Sequence, residues 1–514
     1  MRIIDIIKKT TLRYNFTFGF ICGFLSAMIF APTYATFFLI TLSFFLYQIT
    51  IAEKMRQVLL FAFGFAFSHF AVSLMWVMNA YTVFGNNDLE LLSGLVPVFF
   101  GLWGSLFIVP VACITYKTPG LYKKWICFAA AWSLFEWIRS WLFTGFPWNI
   151  LSTALAFDLN IMQSISLFGV YGLSFFVVLC SSSLALLPKT KPVIISLIIA
   201  ASFYGFGYKR LYDNPTYYVE KSPYIRIVQP NLSLAEKNKN RENALHEHIN
   251  LSRIEDTKKE ITHVIWPESA YPYWLDEEDT FYYSFLISAL NRDGTLITGG
   301  DRKETKNGIS KLYNSIVAID DLGQSFITYD KSHLVPFGEY VPLKEYMPSF
   351  IRKIADGFTD FSKGEGLKTY NLYKAPPFAP LICFEVIFSG RVKDDEFRPS
   401  WFVNISNDAW YGKSEGPYQH LVNAQLRAIE EGIPVIRAAN TGISAVIDAY
   451  GRIVDKIDLD KKGYINTKIP VATLFPPLFG EYGNYIPVTF TATILIIILM
   501  LSLYEKRAKN HIND

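Results

Sequence analysis

Three side chains with reactive chemistry, Glu268, Lys331 and Cys383, each follow a short apolar run that is typical of a buried β-strand. Loops at strand ends are where α/β proteins place their functional residues. A carboxylate can take the proton of a thiol, and the thiolate can then attack a carbonyl carbon. A lysine, together with the backbone N–H of Phe384, can stabilise the oxyanion that forms. The residue types therefore indicate acyl transfer through a thioester on Cys383.

Other interpretations of these residues stay open in the sequence. His333 could form a conventional Cys–His pair with Cys383, and Cys383 could instead be a buried structural thiol. It is the single cysteine of residues 209–484, so it cannot form a disulfide within that segment. The remaining cysteines lie in apolar runs: Cys22, Cys113, Cys127 and Cys180. Histidines and cysteines do not occur together at metal-ligand spacing, and we predict neither a metal nor a cofactor.

Nine short runs rich in β-branched and aromatic residues predict strands that would position these groups. They are residues 224–228, 262–266, 296–298, 313–318, 326–329, 380–382, 401–405, 435–437 and 444–447. Helices are expected at 239–259, 279–291 and 415–432. The alternation of strands and helices predicts an α/β domain in which helices cover the sheet faces.

The rest of the chain has the composition of a membrane protein. Hydrophobic residues make up 51% of the 514 residues, and charged residues make up 18%. Apolar stretches of about 17–25 residues can cross a bilayer as helices. We predict about eight such spans, at roughly 16–30, 35–52, 58–78, 92–116, 125–142, 163–187, 192–208 and 488–504. The first is expected to stay uncleaved because a clear small-x-small site does not follow it.

The spans divide the chain into a transmembrane region at 1–208, an α/β domain at 209–484 and a C-terminal transmembrane helix with its tail at 485–514. Every second short loop carries Lys or Arg, and basic loops stay in the cytoplasm. Both termini are therefore predicted to be cytoplasmic, with the α/β domain on the outer side. The net charge of +3 is small and forms no basic stripe, which excludes nucleic acid as a partner.

Two ionisable residues, Glu136 and Arg139, are spaced i and i+3 in the fifth predicted span, so they share a helix face. Such residues inside a membrane indicate a functional site, here part of a substrate path. A mutual ion pair that faces the bundle interior is an equal alternative. Trp148 follows this span, where it would serve as an interfacial anchor or as a wall of the lipid path.

An apolar and aromatic stretch at 340–361 directly follows the Lys331 segment. Pro342, Pro348 and Gly357 lie within it, and we expect a loop. Such a loop could close over an apolar substrate as a lid, or it could pack on the α/β domain itself.

Three motifs of the α/β segment resemble the signatures of the nitrilase superfamily. They are Trp266-Pro267-Glu268-Ser269, Ile382-Cys383-Phe384-Glu385 and the long run from Tyr329-Asp330-Lys331 to Gly338-Glu339-Tyr340-Val341-Pro342. In the membrane half, Phe135-Glu136-Trp137-Ile138-Arg139 and Phe143-Thr144-Gly145-Phe146-Pro147-Trp148 resemble one branch of that superfamily, the bacterial apolipoprotein N-acyltransferases. The resemblance covers nearly the whole chain.

This resemblance implies an αββα nitrilase-like fold and a catalytic triad of Glu268, Lys331 and Cys383. It implies a ping-pong reaction in which a membrane phospholipid donates the acyl chain and Cys383 carries it as a thioester. The acceptor would be the N-terminal amine of a diacylated apolipoprotein, at the bacterial inner membrane. Glu339, Phe384 and Glu385 fall on supporting positions of the motifs.

The chain departs from the family pattern at two places. Tyr is common directly after the nucleophile, whereas this chain has Phe384, so any role of a hydroxyl at that position is in doubt. Family members can carry a Trp shortly after the first strand of the domain, and residues 229–238 contain none. Substrate contacts of that region are therefore not carried over.

Two other functions have some of these features. A membrane-tethered amidase would use the same triad, but water would resolve its thioester and it would not need eight spans. A transporter or scaffold with a catalytically inactive binding domain would show more polar residues or interrupted helices in its spans. Little of that kind is found beyond Glu136 and Arg139.

Overall fold

The computed structural model describes residues 10, 12–82, 93–256, 260–275, 280–306, 308–346, 360–394 and 396–513. The chain forms two compact units. The membrane unit comprises Met1–Met78, Leu91–Asp213 and Leu478–Asp514. The α/β unit comprises Asn79–Glu90 and Asn214–Pro477.

Apolar helices occupy the stretches that were predicted as spans. Their bounds are Asn15–Ser26, Thr41–Ile51, Met55–Ser73, Val96–Lys117, Leu121–Arg139, Ile165–Ser182, Lys191–Asp213 and Tyr485–Asn513. Within the described residues, 5 helices are long and apolar enough to cross a membrane, namely those that begin at Met55, Val96, Ile165, Lys191 and Tyr485. The prediction of about eight spans is thus supported for five helices, because the first two helices are short and Leu121–Arg139 carries several charged residues.

Close packing of two of these helices follows from their small residues. Gly19 and Gly23 of Asn15–Ser26 face the backbone of Phe61 and Phe65, where any side chain would clash. Small residues at such positions allow apolar helices to approach closely and gain van der Waals contact.

Glu136 and Arg139, in the helix Leu121–Arg139, form hydrogen bonds within the membrane unit. Glu136 Oε1 accepts a hydrogen bond from the Leu151 N–H at 2.8 Å. Arg139 Nη1 donates to the carbonyl oxygens of Phe146 at 3.0 Å and Trp148 at 2.7 Å, which closes the turn after the helix. Both side chains are buried inside the bundle, and each bonds to the backbone of the segment that follows the helix. The choice between a substrate path and an internal ion pair stays a prediction.

Trp148 is completely buried, at 0% exposure. Its ring lies 5.0 Å from that of Trp76 and is stacked 5.8 Å from that of Phe146. An interfacial anchor exposes its ring to lipid headgroups. The interpretation of Trp148 as an anchor is therefore wrong, because the ring fills the interior of the bundle.

The α/β unit contains thirteen strands in the described residues, and these include all nine that were predicted. Their bounds are β1 Tyr224–Gln229, β2 Ile261–Ile265, β3 Tyr271–Trp274, β4 Thr295–Lys306, β5 Ile309–Asp320, β6 Ser325–Asp330, β7 Tyr370–Leu372, β8 Ala375–Ile382, β9 Trp401–Ser406, β10 Val435–Ala439, β11 Ser444–Ile447, β12 Ile453–Ile457 and β13 Gly463–Thr467. The four strands that were not predicted are β3, β7, β12 and β13, each of five residues or fewer.

The strands form two mixed sheets. The first has the order β13-β1-β2-β4-β5-β6, with β3 beside β4, and the second has the order β12-β11-β10-β9-β8-β7. In the first sheet β1, β2 and β4 run parallel, and in the second β8, β9 and β10 do. Each sheet therefore has a parallel centre, and the candidate residues Glu268 and Cys383 follow strands of these centres.

The two sheets bury one core between them. Ile227 and Ile265 of the first sheet pack with Val403 and Ile436 of the second, and Cys383 belongs to the same core. Helix Arg241–Ser252 covers the outer face of the first sheet, and helix Gly416–Glu431 lies against β10. The result is the expected αββα arrangement of helices and sheets.

The helix that was predicted at 239–259 ends earlier. Arg241–Ser252 is the helix of that range, and a separate short helix, Leu234–Lys239, precedes it across Asn240. Asn240 accepts a hydrogen bond from the Asn243 N–H at 2.9 Å, so its side chain caps the second helix. The remaining helices of this unit are Asn79–Thr82, Thr280–Ile287 and Gly416–Glu431.

Candidate active site

Glu268 lies in a tight turn after β2. Its Oε1 accepts a hydrogen bond from Asn314 Nδ2 at 2.8 Å, and its Oε2 accepts one from the Asn407 N–H at 2.8 Å. Ser269, the next residue, has a φ of +51°. A Cβ on Gly299 would lie 2.8 Å from the Glu268 Cα, so glycine at this position is what lets the turn approach β4.

Lys331 follows β6 and is fully enclosed by the site. Its Nζ donates to Glu339 Oε1 at 2.9 Å and lies 3.7 Å from Glu268 Oε1. Asn314 Nδ2 also donates to Glu339 Oε1, at 3.0 Å. Burial alone lowers the pKa of Lys331, but the charges of Glu339 and Glu268 outweigh burial and raise that pKa well above its ordinary value. Lys331 is therefore an ammonium, and we refer to Glu268, Asn314, Lys331 and Glu339 as the Glu268 cluster.

Cys383 begins the turn after β8 with a φ of +48°, a conformation that costs a non-glycine residue about 1–3 kcal/mol. The Glu385 carboxylate stabilises this turn. Its Oε2 accepts from the Ile382 N–H at 2.8 Å, and its Oε1 accepts from the Ser332 N–H at 2.7 Å and from Tyr329 Oη at 2.8 Å. Glu385 thus connects the turn of Cys383 to the segment that carries Lys331.

The sulfur of Cys383 is buried among polar groups. Burial, and then the charge of Glu268, raise the pKa of the Cys383 thiol to about 12, and Lys331 opposes them in part. The thiol is therefore protonated at neutral pH, and a base must take its proton before it can attack. Its Sγ lies 3.4 Å from Ser406 Oγ and 4.0 Å from Tyr411 Oη.

A second polar cluster is built on the second sheet and on helix Gly416–Glu431. Asp408 Oδ2 accepts from Arg437 Nη2 at 2.8 Å, and Asp408 Oδ1 lies 2.9 Å from His420 Nδ1. His420 Nε2 lies 3.1 Å from the backbone oxygen of Cys383. Burial raises the pKa of Asp408, but Arg437 and His420 outweigh it and hold that pKa well below its usual range. We refer to Asp408, His420 and Arg437 as the Asp408 cluster.

Cys383, Asp408 and His420 present ligand atoms within 4.8 Å of one another, a set that could hold a metal ion. The Arg437 guanidinium already supplies the cation there, because its Nη2 lies 2.8 Å from Asp408 Oδ2 and 3.1 Å from His420 Nδ1. A second cation at this distance would be strongly repelled in a buried site. The donor set therefore fits a hydrogen-bonded cluster better than a metal site.

Comparisons with known proteins agree with this architecture. Residues 22–183 match the family model described as apolipoprotein N-acyltransferase N-terminal domain, and residues 225–475 match that of carbon-nitrogen hydrolase. An apolipoprotein N-acyltransferase of Rickettsia typhi is 35% identical over 507 residues, which covers 94% of this chain and 98% of that protein. The chain belongs to the apolipoprotein N-acyltransferase family.

A more distant member of the family and one solved structure extend the comparison. The apolipoprotein N-acyltransferase of Rhodopseudomonas palustris is 34% identical over 468 residues, covering 86% of this chain and 85% of that protein. A carbon-nitrogen hydrolase superfamily protein from Xanthomonas campestris aligns with a TM-score of 0.34 and 17% identity, covering 49% of this chain and 91% of that one.

The structure brings Glu268, Lys331, Glu339, Cys383 and Glu385 into one site. Their side chains are buried and are linked by the hydrogen bonds and charge contacts described above. The distances among them could not be read from a sequence, in which Glu268, Lys331 and Cys383 are far apart.

The side chains of two further candidates, Phe384 and His333, lie in an aromatic group beside the site. The ring of Phe384 lies 5.1 Å from that of Phe388. The ring of His333 lies 4.0 Å from Phe388 and 5.8 Å from Phe384, in an aromatic group. The histidine that contacts Cys383 is His420, through the backbone oxygen rather than through the sulfur.

The predicted lid is described only at its two ends. Leu343 and Tyr346 are exposed, at 71% and 82%. Residues 347–359 lie outside the described residues. The role of 340–361 as a lid stays a prediction.

Several residues of the site were not identified in the sequence: Asn314, Ser406, Asp408, Tyr411, His420 and Arg437. Two signals could have found some of them. Ser406-Asn407-Asp408 is a polar run directly after a buried strand, the position where α/β proteins place functional groups. Arg437 is a charge in the middle of the apolar strand β10, and a buried charge needs a partner.

Proposed function

We propose that this membrane protein moves a fatty acyl chain from a phospholipid to the N-terminal amine of a diacylated apolipoprotein, by way of a thioester on Cys383. The observation that carries the proposal is the convergence of Glu268, Lys331 and Cys383 in one buried centre of a chain that belongs to this family. Their chemistry is sufficient for acyl transfer without a cofactor.

In the first half-reaction Glu268 takes the proton of the Cys383 thiol, and the sulfur attacks the ester carbonyl carbon of the phospholipid. The carbonyl oxygen becomes an oxyanion, which the Lys331 ammonium and the Phe384 N–H can stabilise. The carbon–oxygen bond of the ester then breaks. Glu268 returns its proton to the alcohol oxygen, so the lysophospholipid leaves neutral at that atom and the acyl chain stays on sulfur.

In the second half-reaction the amine of the apolipoprotein attacks the thioester carbon. Glu268 takes a proton from the attacking nitrogen, and the collapse of the tetrahedral intermediate expels the Cys383 thiolate. That thiolate recovers a proton from Glu268. The amide product has then formed, and the Cys383 thiol and the Glu268 carboxylate have returned to their resting states. The half-reaction takes up no net protons.

The Glu268 cluster has the charge balance that such a base needs. Two carboxylates, Glu268 and Glu339, share one ammonium, Lys331. Glu339 makes the shorter contact with Lys331, at 2.9 Å against 3.7 Å. Glu339 therefore holds the ammonium in place, and Glu268 is the carboxylate of this pair whose charge acts on the Cys383 sulfur.

The membrane unit suits substrates that are anchored in lipid. Extracting an acyl chain into water costs about 0.8 kcal/mol for each exposed CH₂ group, and a site held at the bilayer avoids that cost. We propose the bacterial inner membrane as the location, with both termini in the cytoplasm and the α/β unit on the outer side. The eight helices would then all cross the bilayer, and Glu136, Arg139 and Trp148 would shape the inside of the bundle along the substrate path.

The test is intact-protein mass spectrometry of detergent-purified protein after incubation with phosphatidylethanolamine. Wild type is expected to gain the mass of one acyl group, and a diacylated lipopeptide is expected to remove it as an amide. Cys383→Ala is expected to gain nothing. Cys180→Ala, which removes a cysteine of the membrane unit, is the matched control and should behave like wild type.

Two outcomes would assign a different function. Discharge of the acyl group by water at the same rate with and without lipopeptide would indicate an amidase or esterase. A folded wild-type protein that never becomes acylated, while Cys383 still reacts as a thiol, would indicate a binding protein.

A further inference from the structure

Two hydroxyl groups face the sulfur of Cys383, and both come from the chain after β8. Ser406 Oγ, at the end of β9, lies 3.4 Å from Sγ, and Tyr411 Oη lies 4.0 Å from it. Phe384, directly after the cysteine, has no hydroxyl. The hydrogen bonding of the sulfur therefore depends on where the Ser406 and Tyr411 protons are.

The single proton of Ser406 has two acceptors within reach. One is the Cys383 sulfur, and the other is Asp408 Oδ1 at 2.6 Å. A bond from a hydroxyl to a carboxylate is short and charge-assisted, whereas sulfur is a weak acceptor. The proton therefore goes to Asp408, and the Ser406 oxygen presents its lone pairs to Cys383.

The Asp408 cluster keeps this arrangement fixed. Arg437 Nη2 donates to Asp408 Oδ2 at 2.8 Å and holds the carboxylate ionised. His420 lies 2.9 Å from Asp408 Oδ1 and 3.1 Å from the backbone oxygen of Cys383. Asp408 is thus always an acceptor, and the same cluster holds the backbone that carries the sulfur.

The backbone and the ring of Tyr411 have contacts that position its hydroxyl near the Cys383 sulfur. Its backbone oxygen accepts from Asn79 Nδ2 at 2.8 Å and from Ser414 Oγ at 2.7 Å, and its ring lies 5.9 Å from that of His420. Burial, and then the charges of Cys383 and Asp408, raise the pKa of Tyr411 well above its ordinary value. The phenol therefore keeps its proton and can donate it in a hydrogen bond to an anion.

We propose that these hydroxyls act on opposite protonation states of the nucleophile: Ser406 accepts a hydrogen bond from the resting thiol, and Tyr411 donates one to the attacking thiolate. Tyr411 is then a further catalytic residue, and Ser406 sets the resting state. The inference rests on the proposed role of Cys383 as the nucleophile. The thiol proton still goes to Glu268, and Tyr411 keeps its own proton throughout.

Charged groups also act on the sulfur, and Glu268 loses its charge when it takes the thiol proton. Glu268 and Asp408 disfavour a thiolate and Lys331 favours it. Removing either hydroxyl leaves all three groups in place. A change in thiol reactivity in Tyr411→Phe therefore reports the hydrogen bond itself, whereas Ser406→Ala also removes the hydrogen bond to Asp408.

The experiment measures the rate at which iodoacetamide alkylates Cys383 in the full-length protein in detergent, by mass spectrometry of the peptide that contains it. At a fixed pH below the thiol pKa, this rate follows the thiolate fraction and its nucleophilicity. Tyr411→Phe should slow alkylation by about three- to tenfold, and Ser406→Ala should speed it by about threefold. Tyr411→Phe should also slow thioester formation from phosphatidylethanolamine by about tenfold.

Tyr370→Phe is the matched control, because it removes a hydroxyl that donates to the Thr328 oxygen at 3.0 Å, away from the sulfur. It should leave both rates unchanged. Thermal unfolding of each variant shows that the protein is folded, and Tyr411→Phe alone decides the inference if Ser406→Ala does not fold.

Unchanged alkylation in Tyr411→Phe, or changes of the same sign in both variants, would overturn the inference. If wild type is still acylated on Cys383 in that case, the proposed function stands. Acyl transfer by Cys383→Ala would overturn the proposed function and this inference together.

Discussion

The Glu268 cluster and the Asp408 cluster are both buried and both contain charges, but their charges balance differently. In the first, two carboxylates share the ammonium of Lys331. In the second, one carboxylate has the guanidinium of Arg437 as its partner. Burial, reinforced by Arg437, lowers the pKa of His420, so this imidazole adds no full charge at neutral pH.

We infer from this difference that the Glu268 cluster serves the reaction and that the Asp408 cluster stabilises the fold around it. A cluster with one carboxylate in excess can accept a proton, which is what a general base does. A balanced cluster resists any change of protonation, because losing either charge leaves the other buried without a partner. We therefore expect substitution of Glu268 to act mainly on rate and substitution of Arg437 to act mainly on stability.

The largest effect is expected from Glu268→Gln, which keeps the size of the side chain but cannot take a proton. Thioester formation should fall by about 10²–10⁴-fold, with little change in the unfolding temperature. Single-turnover mass spectrometry measures the rate. Glu304→Gln, in a partly exposed carboxylate that pairs with Lys306, is the control and should be active. A loss below tenfold for Glu268→Gln would place the base elsewhere.

Arg437→Met should act on stability instead. It leaves Asp408 buried without its cation, which typically costs about 3–5 kcal/mol in the free energy of unfolding. Denaturant unfolding in detergent measures the loss. The double variant Arg437→Met, Asp408→Leu should recover part of it, because it removes the charge that was left behind. Wild-type stability in Arg437→Met would show that the two clusters do not differ in this way.

The smallest expected effect is on how the stability of the fold changes with pH. It compares the two clusters directly. The folded pKa of Asp408 lies below its unfolded value of about 3.9, so its contribution is present above about pH 4 and is lost as the pH falls. The folded pKa of Lys331 lies above its unfolded value of about 10.4, so its contribution is present below that pH and is lost as the pH rises.

Unfolding temperatures of wild type, Asp408→Asn and Lys331→Met across the pH range test these signs. The difference between wild type and Asp408→Asn should narrow in acid. The difference between wild type and Lys331→Met should narrow in alkali. The same dependence in both variants would contradict the assignment of opposite shifts.

Much of the molecule is determined by local sequence. Strands such as β9 and β10 follow from runs of β-branched residues, and the apolar helices follow from composition, because the hydrophobic effect acts on every such segment alike. Glu268, Lys331 and Cys383 were predicted to be reactive because each reactive type stands directly after such a run. The same local argument could not measure burial, so an interfacial anchor stayed open for Trp148 beside a wall of the lipid path, although the ring is internal.

Only the tertiary structure decides which residues form hydrogen bonds with the side chains of the site. Glu268 meets the Asn407 N–H across 139 positions of sequence, Cys383 meets His420 across 37, and Asp408 meets Arg437 across 29. These contacts exist because two sheets pack face to face and bring their strand ends together, a condition that leaves no periodic pattern in the chain. The sequence thus indicated candidate reactive groups by their type and position, while sheet packing decided which side chains surround them.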